Sequence, residues 1–344
     1  MVSERADTLQ AQVASKQTDE QKQQQADASA RPLGEPVPIT PTSKIWMDGE
    51  FVDWDDATIH ILNPTLHYGW GVFEGVRAYA TDRGPAVFRL TEHIQRLFRS
   101  ARIYLMEPEH TAPQLVEATR ELIRINEVES CYVRPLLYLG YGEMGVNPLP
   151  SPTRAAIACW PWGAYLGDEA AAKGCRVMVS SWERIGANTI PPEGKATGQY
   201  INSALAKVSA LKAGYDEAIM LTPDGRISEG SGENIFLVFG RKIVTPPVVD
   251  GVLAGLTRDS VITIARDEGY GVVEAPLVRS NLYLADEAFF TGTAAEIVPI
   301  VEADDRPVGT GAPGPVAKHL IEQYHAATRG QLDRYKTWNE YVRD

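Results

Sequence analysis

Long apolar runs are missing from this chain of 344 residues. No stretch of 18 apolar residues occurs, which leaves no candidate for a membrane-spanning helix. No apolar segment follows the first residues, so no secretory signal is expected. Positive charge is also short. Lys and Arg number 33 against 45 Asp and Glu, giving a formal net charge of −12 and a pI of about 5.1. A nucleic-acid binder needs a basic footprint, so that class is set aside. Cysteine is scarce: Cys131, Cys159 and Cys175 lie far apart, each in or beside an apolar, strand-like run, with no C-x-x-C pair. They read as buried thiols in a reducing cytoplasm, not as a disulfide frame or a zinc site. No internal repeat is visible.

What is present is 44% hydrophobic residues and a length that suits two domains. Residues 1–42 differ from the rest. Glutamines from Gln10 to Gln25 mix with Ala, Ser and scattered charges, and a Pro-rich stretch from Arg31 to Pro38 follows. With no apolar stripe to bury, this part reads as a disordered tail. Residues 43–162 read as a small α+β domain, 163–171 as a connector, and 172–344 as a larger, β-rich domain.

Within the first domain, Asp48-Gly49 between two apolar runs signals a hairpin over Lys44 to Val52. A second hairpin is expected from Gly71–Tyr79 and Pro85–Leu90. Thr91 is placed as the cap of a helix running from Glu92 to about Leu105. A further helix is expected from Pro113 to Asn126, then strands at Tyr132–Leu139 and Ala155–Trp160. The second domain reads as a strand at Arg176–Ser180, a helix at Tyr200–Ala213, strands at Glu217–Leu221, Asn234–Phe239 and Lys242–Thr245, and a helix opening at Thr257. Strands at Val272–Glu274 and Glu287–Phe290 and a helix at Pro315–Ala327 complete it.

Five stretches invite a chemical reading. Lys195 sits in a turn rich in Pro and Gly, Asn188 to Tyr200. An aimed lysine amine that loses its proton can form a Schiff base with a carbonyl, although alone such a lysine is an ordinary solvated loop residue. Gly140–Gly145 spells G-x-G-x-x-G, but Val146-Asn147-Pro148 follows where a dinucleotide site needs a helix, so a plain glycine-rich loop is the better account. Gly255-Leu256-Thr257 offers a helix N-terminus to an anion, with Thr257 as cap. Gly292-Thr293-Ala294-Ala295 adds a hydroxyl and further N–H groups, and Arg96 can complete a phosphate clamp. Finally, Glu229 and Glu233 flank a small loop before an apolar strand, where one buried carboxylate can hold a proton on a ring nitrogen. Each stretch alone also has an ordinary structural account.

Together and in order, these stretches resemble the class IV, pyridoxal-phosphate-dependent branched-chain amino acid aminotransferases. The first half adds His67-Tyr68-Gly69, Phe73-Glu74-Gly75-Val76-Arg77, Glu92 to Leu97 and Tyr132-Val133-Arg134-Pro135. The resemblance runs from about Ile45 to the C-terminal helix and implies a two-domain fold of type IV, α+β in class, and reversible transamination of L-leucine, L-isoleucine and L-valine with 2-oxoglutarate. It implies that Lys195 forms the Schiff base with pyridoxal 5′-phosphate and later shuttles a proton. Glu229 would pair with the ring nitrogen and Tyr200 with the ring hydroxyl. Arg96, Leu256, Thr257 and Thr293 would hold the phosphate. Tyr132 and backbone N–H groups near Thr293 and Ala294 would hold the substrate α-carboxylate, and Arg134 the side-chain carboxylate of glutamate. Tyr68, Phe73, Trp162 and Tyr165 would line the side-chain pocket, and Met144 and Val146 would reach the pocket of a neighbouring subunit in a dimer or dimer-based oligomer.

Two features depart from that pattern: the tail, and Trp70, which is bulky for its place and is expected to alter the pocket. D-amino acid aminotransferases share the fold but bind the carboxylate differently, and Tyr132-Val133-Arg134-Pro135 favours the branched-chain type. An aminodeoxychorismate lyase should lack the apolar set Phe73, Trp162 and Tyr165. A scaffold without activity should lose Lys195 or Glu229.

Overall fold

The computed structural model describes residues 38–162 and 173–343. Its frame is two large sheets. The first begins with the expected hairpin. In β1 (Lys44–Met47) and β2 (Glu50–Asp53), Met47 pairs with Glu50 and leaves Asp48 and Gly49 as a two-residue loop. Both take positive φ, at 49° and 102°, as such a tight turn demands.

The second expected hairpin forms, with Ala78 and Tyr79 paired to Val87 and Ala86, but its first arm is divided. The run from Gly71 to Tyr79 is two strands, β3 (Gly71–Phe73) and β4 (Val76–Tyr79), both paired with β6 (Cys131–Leu139). The break falls at Glu74-Gly75. There the fully buried Glu74 carboxylate turns to Arg96 and His93 instead of following the pleat. β5 (Ala86–Phe88) and β7 (Thr153–Trp160) extend the sheet. Along β7 buried and half-buried residues alternate, the mark of a strand with one face on a core. That core comes from α2 (Leu90–Ile103) and α3 (Ala112–Ile125), while the short α1 (Pro64–Tyr68) precedes β3. Thr91 is not a helix cap. Helix α2 starts from Arg89, and the Thr91 N–H and hydroxyl both donate to Glu340, each at 2.7 Å. Glu340 belongs to a strand absent from the sequence reading, β17 (Asn339–Tyr341), which returns from the chain's far end to pair with β5.

The second sheet holds β8 (Cys175–Val179), β9 (Glu217–Leu221), β10 (Ile227–Gly230), β11 (Asn234–Phe239), β12 (Lys242–Thr245), β13 (Gly271–Glu274), β14 (Glu287–Gly292), β15 (Glu296–Ala303) and β16 (Arg306–Pro307). Its order is β10-β9-β8-β15-β14-β11-β12-β13, with β16 on β15, and it mixes parallel and antiparallel pairs. The molecule is thus α+β, as expected. Strands β10, β15 and β16 and helix α6 (Arg279–Leu284) were not foreseen. Helices α4 (Tyr200–Lys212), α5 (Leu256–Asp267) and α7 (Pro315–Thr328) match expected ones. Phe236 and Phe289 stack with centroids 5.0 Å apart beneath α5 and α7, in a core that also takes Tyr79 and Phe88 from the first sheet. That shared core fixes the two sheets against one another.

Candidate active site

A cavity of about 260 Å³ opens where the two sheets meet. Lys195 enters it from a loop docked on the first sheet: the Lys195 carbonyl accepts from the Phe73 N–H at 3.0 Å, Thr197 N–H donates to Gly71 at 2.8 Å, and Lys195 N–H donates to Ser100 Oγ at 3.0 Å. These bonds hold the backbone on both sides of the lysine, so its amine is aimed. Nζ meets the Tyr200 phenol at 2.6 Å and stands 5.1 Å from the Phe73 ring centre.

At another wall lies Glu229, the penultimate residue of β10. Its carboxylate is buried and accepts from Asn234 Nδ2 and from the Leu253 N–H, both at 3.0 Å. The Arg184 guanidinium approaches to 2.7 Å. Burial pushes the Glu229 carboxyl above its ordinary range, while the Arg184 charge works the other way. Asn234 stands in the same short stretch as Glu229, but Arg184 and Leu253, 45 and 24 residues away, had no signal in the sequence, because only the fold brings them to it.

The anion end is built from backbone. Helix α5 starts from Gly255, not from a Thr257 cap as expected. A side chain at 255 would put its Cβ 2.0 Å from Asn234 Oδ1, so glycine is required there. Leu256 and Thr257 occupy the first turn, and their own N–H groups find no acceptor among the described residues. The turn Thr293-Ala294-Ala295 between β14 and β15 presents a second set in the same condition. Arg96 also lines the cavity. It donates twice to Glu74, at 2.6 and 2.8 Å, and once to the Ala254 carbonyl at 2.7 Å, leaving two of its five N–H groups free of these bonds. Burial opposes the Glu74 charge, yet Arg96 and His93 hold that carboxyl far below its usual range. Glu74 is the orienting partner of Arg96 that the sequence reading missed.

A third group reaches the cavity from the first sheet. Arg134 stands 4.7 Å from the Phe73 ring and 5.2 Å from the Tyr132 ring, and donates to the Tyr132 hydroxyl at 3.2 Å. Its Nε is buried without a partner. A guanidinium caged by rings and short of one acceptor is a ready carboxylate receptor. Trp162 packs edge-on against Tyr132, with centroids 4.6 Å apart. Two more acceptor-bearing side chains on the wall, Thr291 and Glu233, each carry a buried oxygen without a partner. Burial, and then the negative charge of Glu217, push the Glu233 carboxyl up to about 8.

Of the residues named from the sequence, the cavity brings together Lys195, Arg96, Tyr200, Glu229, Leu256, Thr257, Thr293, Phe73, Tyr132, Arg134, Trp162 and Ala294. Tyr68, Met144 and Val146 stand off it, exposed on the surface. Tyr165, the tail through residue 37 and the connector at 163–171 lie outside the described residues. Trp70 does not shape the cavity. It turns into the first core, where its indole donates to the Tyr104 carbonyl at 2.9 Å. The Gly140–Gly145 loop leads into no helix, in keeping with its reading as a plain loop. The three cysteines are buried and free.

The site therefore offers an aimed amine, a buried carboxylate, and two acceptor-free backbone turns beside a half-committed arginine. That set suits a planar cofactor with a basic ring nitrogen at one end and a phosphate at the other, and Arg134 is left for a second, acidic molecule. Known proteins show the same combination. The family model for amino-transferase class IV matches residues 71–303. The branched-chain-amino-acid aminotransferase of Pseudomonas aeruginosa is 46% identical over 299 residues, covering 87% of this chain and 97% of that protein. The crystal structure of a T.th. branched-chain amino acid aminotransferase with pyridoxamine 5′-phosphate is 48% identical, with a TM-score of 0.86 over 89% of this chain and all of that one. A second T.th. structure, complexed with N-(5′-phosphopyridoxyl)-L-glutamate, is 45% identical with a TM-score of 0.84 and the same coverage.

Proposed function

The chain belongs to the class IV aminotransferases and transaminates branched-chain amino acids, and from that premise we propose that pyridoxal 5′-phosphate is its cofactor and Lys195 its catalytic base. The observation that carries the reading is the cavity shared by the Lys195 amine, the Glu229 carboxylate and the two acceptor-free turns. Bound there, the cofactor supplies a carbonyl that takes the amino group and a ring that withdraws electrons from the substrate α-carbon.

The protein's own groups do the rest. Leu256, Thr257, Thr293 and the free N–H groups of Arg96 hold the phosphate. Glu229, kept in place by Arg184, Asn234 and Leu253, holds a proton on the ring nitrogen. Lys195 Nζ takes the proton from the substrate α-carbon and returns it on the other side of the exchange. Tyr200, bonded to that amine at 2.6 Å, fixes where the proton is taken. Tyr132 and the N–H groups near Thr293 and Ala294 bind the α-carboxylate. Phe73 and Trp162 favour an apolar side chain, whereas Arg134 receives the second carboxylate of glutamate, so one cavity accepts both partners of the exchange with 2-oxoglutarate.

Met144 and Val146, 39% and 87% exposed, fit the further proposal that they enter the cavity of a second copy. Tyr68 and Tyr165 belong to the same proposal of a wider side-chain pocket. The division into domains at 43–162 and 172–344 is likewise proposed, with β17 crossing back to the first. No helix among the described residues is long and apolar enough to cross a membrane. Buried free thiols accord with a proposed cytoplasmic location.

An amino-donor panel with 2-oxoglutarate tests the reading. L-Leucine, L-isoleucine and L-valine should serve, and D-alanine should not. The purified protein should be yellow, and borohydride should bleach it while adding the cofactor's mass to the peptide that holds Lys195. A Lys195→Ala protein that transaminates at the wild-type rate would sink the assignment.

A further inference from the structure

Glu296 closes the turn that carries Thr293, Ala294 and Ala295, pairing with Gly292 across it. Its backbone has φ of +58°, a left-handed conformation that a residue with a long side chain adopts at a cost. Something must hold it there. The carboxylate accepts from the Tyr79 hydroxyl at 2.8 Å and meets His325 Nε2 at 3.0 Å, and Arg77 lies 3.7 Å away. Arg77 in turn donates to the Ala294 carbonyl at 3.4 Å and to the Trp162 carbonyl at 3.1 Å. Tyr79 and Arg77 belong to β4 of the first sheet, Glu296 opens β15 of the second, and His325 lies on α7. One carboxylate therefore fastens the turn to two separate elements, β4 and α7. Glu296, Arg77, Tyr79 and His325 are not among the residues that line the cavity, but the turn they fasten is.

We propose that Glu296 is a positioning residue for substrate, holding the Thr293–Ala295 turn in the form that receives the α-carboxylate of the amino acid and of the 2-oxo acid. The inference rests on the function proposed above. It separates two roles within one loop: the N–H groups bind, and Glu296 keeps them aimed. Burial resists the charge, but the His325 hydrogen bond and Arg77 hold the carboxyl at about 2, so the ties persist through the neutral range.

The test uses the holoenzyme and 4-methylpentanoic acid, a carboxylate with the leucine side chain but no amino group, titrated by calorimetry. Glu296→Gln should weaken that binding about tenfold and raise KM for L-leucine and 2-oxoglutarate by a similar factor. Its kcat should stay within about threefold, and cofactor absorbance per chain should be unchanged. His325→Ala removes one tie from a half-exposed position and should weaken the acid about threefold, with His325→Gln restoring most of it. A folded Glu296→Gln protein that binds the acid as tightly as wild type overturns the proposal. So does one that loses kcat or cofactor with the acid's affinity intact, because that marks general support only. Should Glu296→Gln fail to fold, wild-type affinity in His325→Ala overturns it instead. Wild-type protein that fails to transaminate L-leucine refutes the function itself, and that result is read first.

Discussion

Arg184 and Glu229 form an ion pair at 2.7 Å with each side chain less than a tenth exposed. Neither charge has much water to fall back on. Removing one partner of such a pair strands the other, which typically costs about 3–5 kcal/mol. Arg184→Ala should therefore lower the unfolding free energy by about that amount in urea titrations. It should also let Glu229 take up a proton more readily, because the Arg184 charge that favours the carboxylate is gone. An Arg184→Ala protein as stable as wild type would show that the pair is not what holds Glu229.

Gly75 lies against Tyr132 so closely that a Cβ would stand 2.0 Å from the phenol oxygen. Gly75→Ala must push the ring aside, along with the Arg134 guanidinium bonded to it. We expect KM for amino acids to rise at least about tenfold, the scale of one lost charge-assisted hydrogen bond, while cofactor absorbance per chain stays the same. Steady-state kinetics beside a spectrum check both halves.

Arg134 separates the two substrates. Arg134→Gln should lower kcat/KM for glutamate about 10- to 100-fold, the equivalent of the roughly 1.5–3 kcal/mol of a hydrogen bond to a charged group. L-Leucine, which offers no second carboxylate, should change far less. Equal losses for both donors would place Arg134 in structural support instead.

The contribution of Glu233 to stability falls as pH rises. Its carboxyl is pushed up to about 8 by burial and by Glu217, above the ordinary 4.5. An unfolded chain ionises this group from about pH 4.5 upward, and the folded one keeps its proton until near 8. The folded state thus loses ground across that window. Glu233→Gln should raise the unfolding free energy by roughly 4 kcal/mol at pH 8, and the gain should fade as the pH drops toward the ordinary carboxylate range. A gain independent of pH would contradict the assignment.

How much of this was readable beforehand follows from distance along the chain. The Asp48-Gly49 hairpin and the helices from Tyr200 and Pro315 rest on neighbouring residues, and the structure has them where expected. Strand β15 was missed because Pro299 sits in it, and a proline argues against a central strand. The fold evades the objection by starting the pairing with β8 one residue later, at Ile300. Thr91 and Thr257 were read as caps from local preference alone. Tertiary partners took over in the first case, and the crowding of Gly255 against Asn234 set the helix start in the second. The cofactor cradle was legible as an ordered set of motifs. Its supports, Glu74 behind Arg96 and Arg184 behind Glu229, were not, since each lies over twenty residues from the group it holds.

Strand β17 carries a consequence for how the molecule comes into being. A ribosome delivers residues 86–88 about 250 residues before their partner at 339–341. For most of synthesis β5 presents an open row of N–H and C=O groups, a template on which a second nascent chain can pair. The first sheet gains this closing strand only once residues 339–341 are made, so a truncation just before Asn339 should leave β5 as a sticky flank.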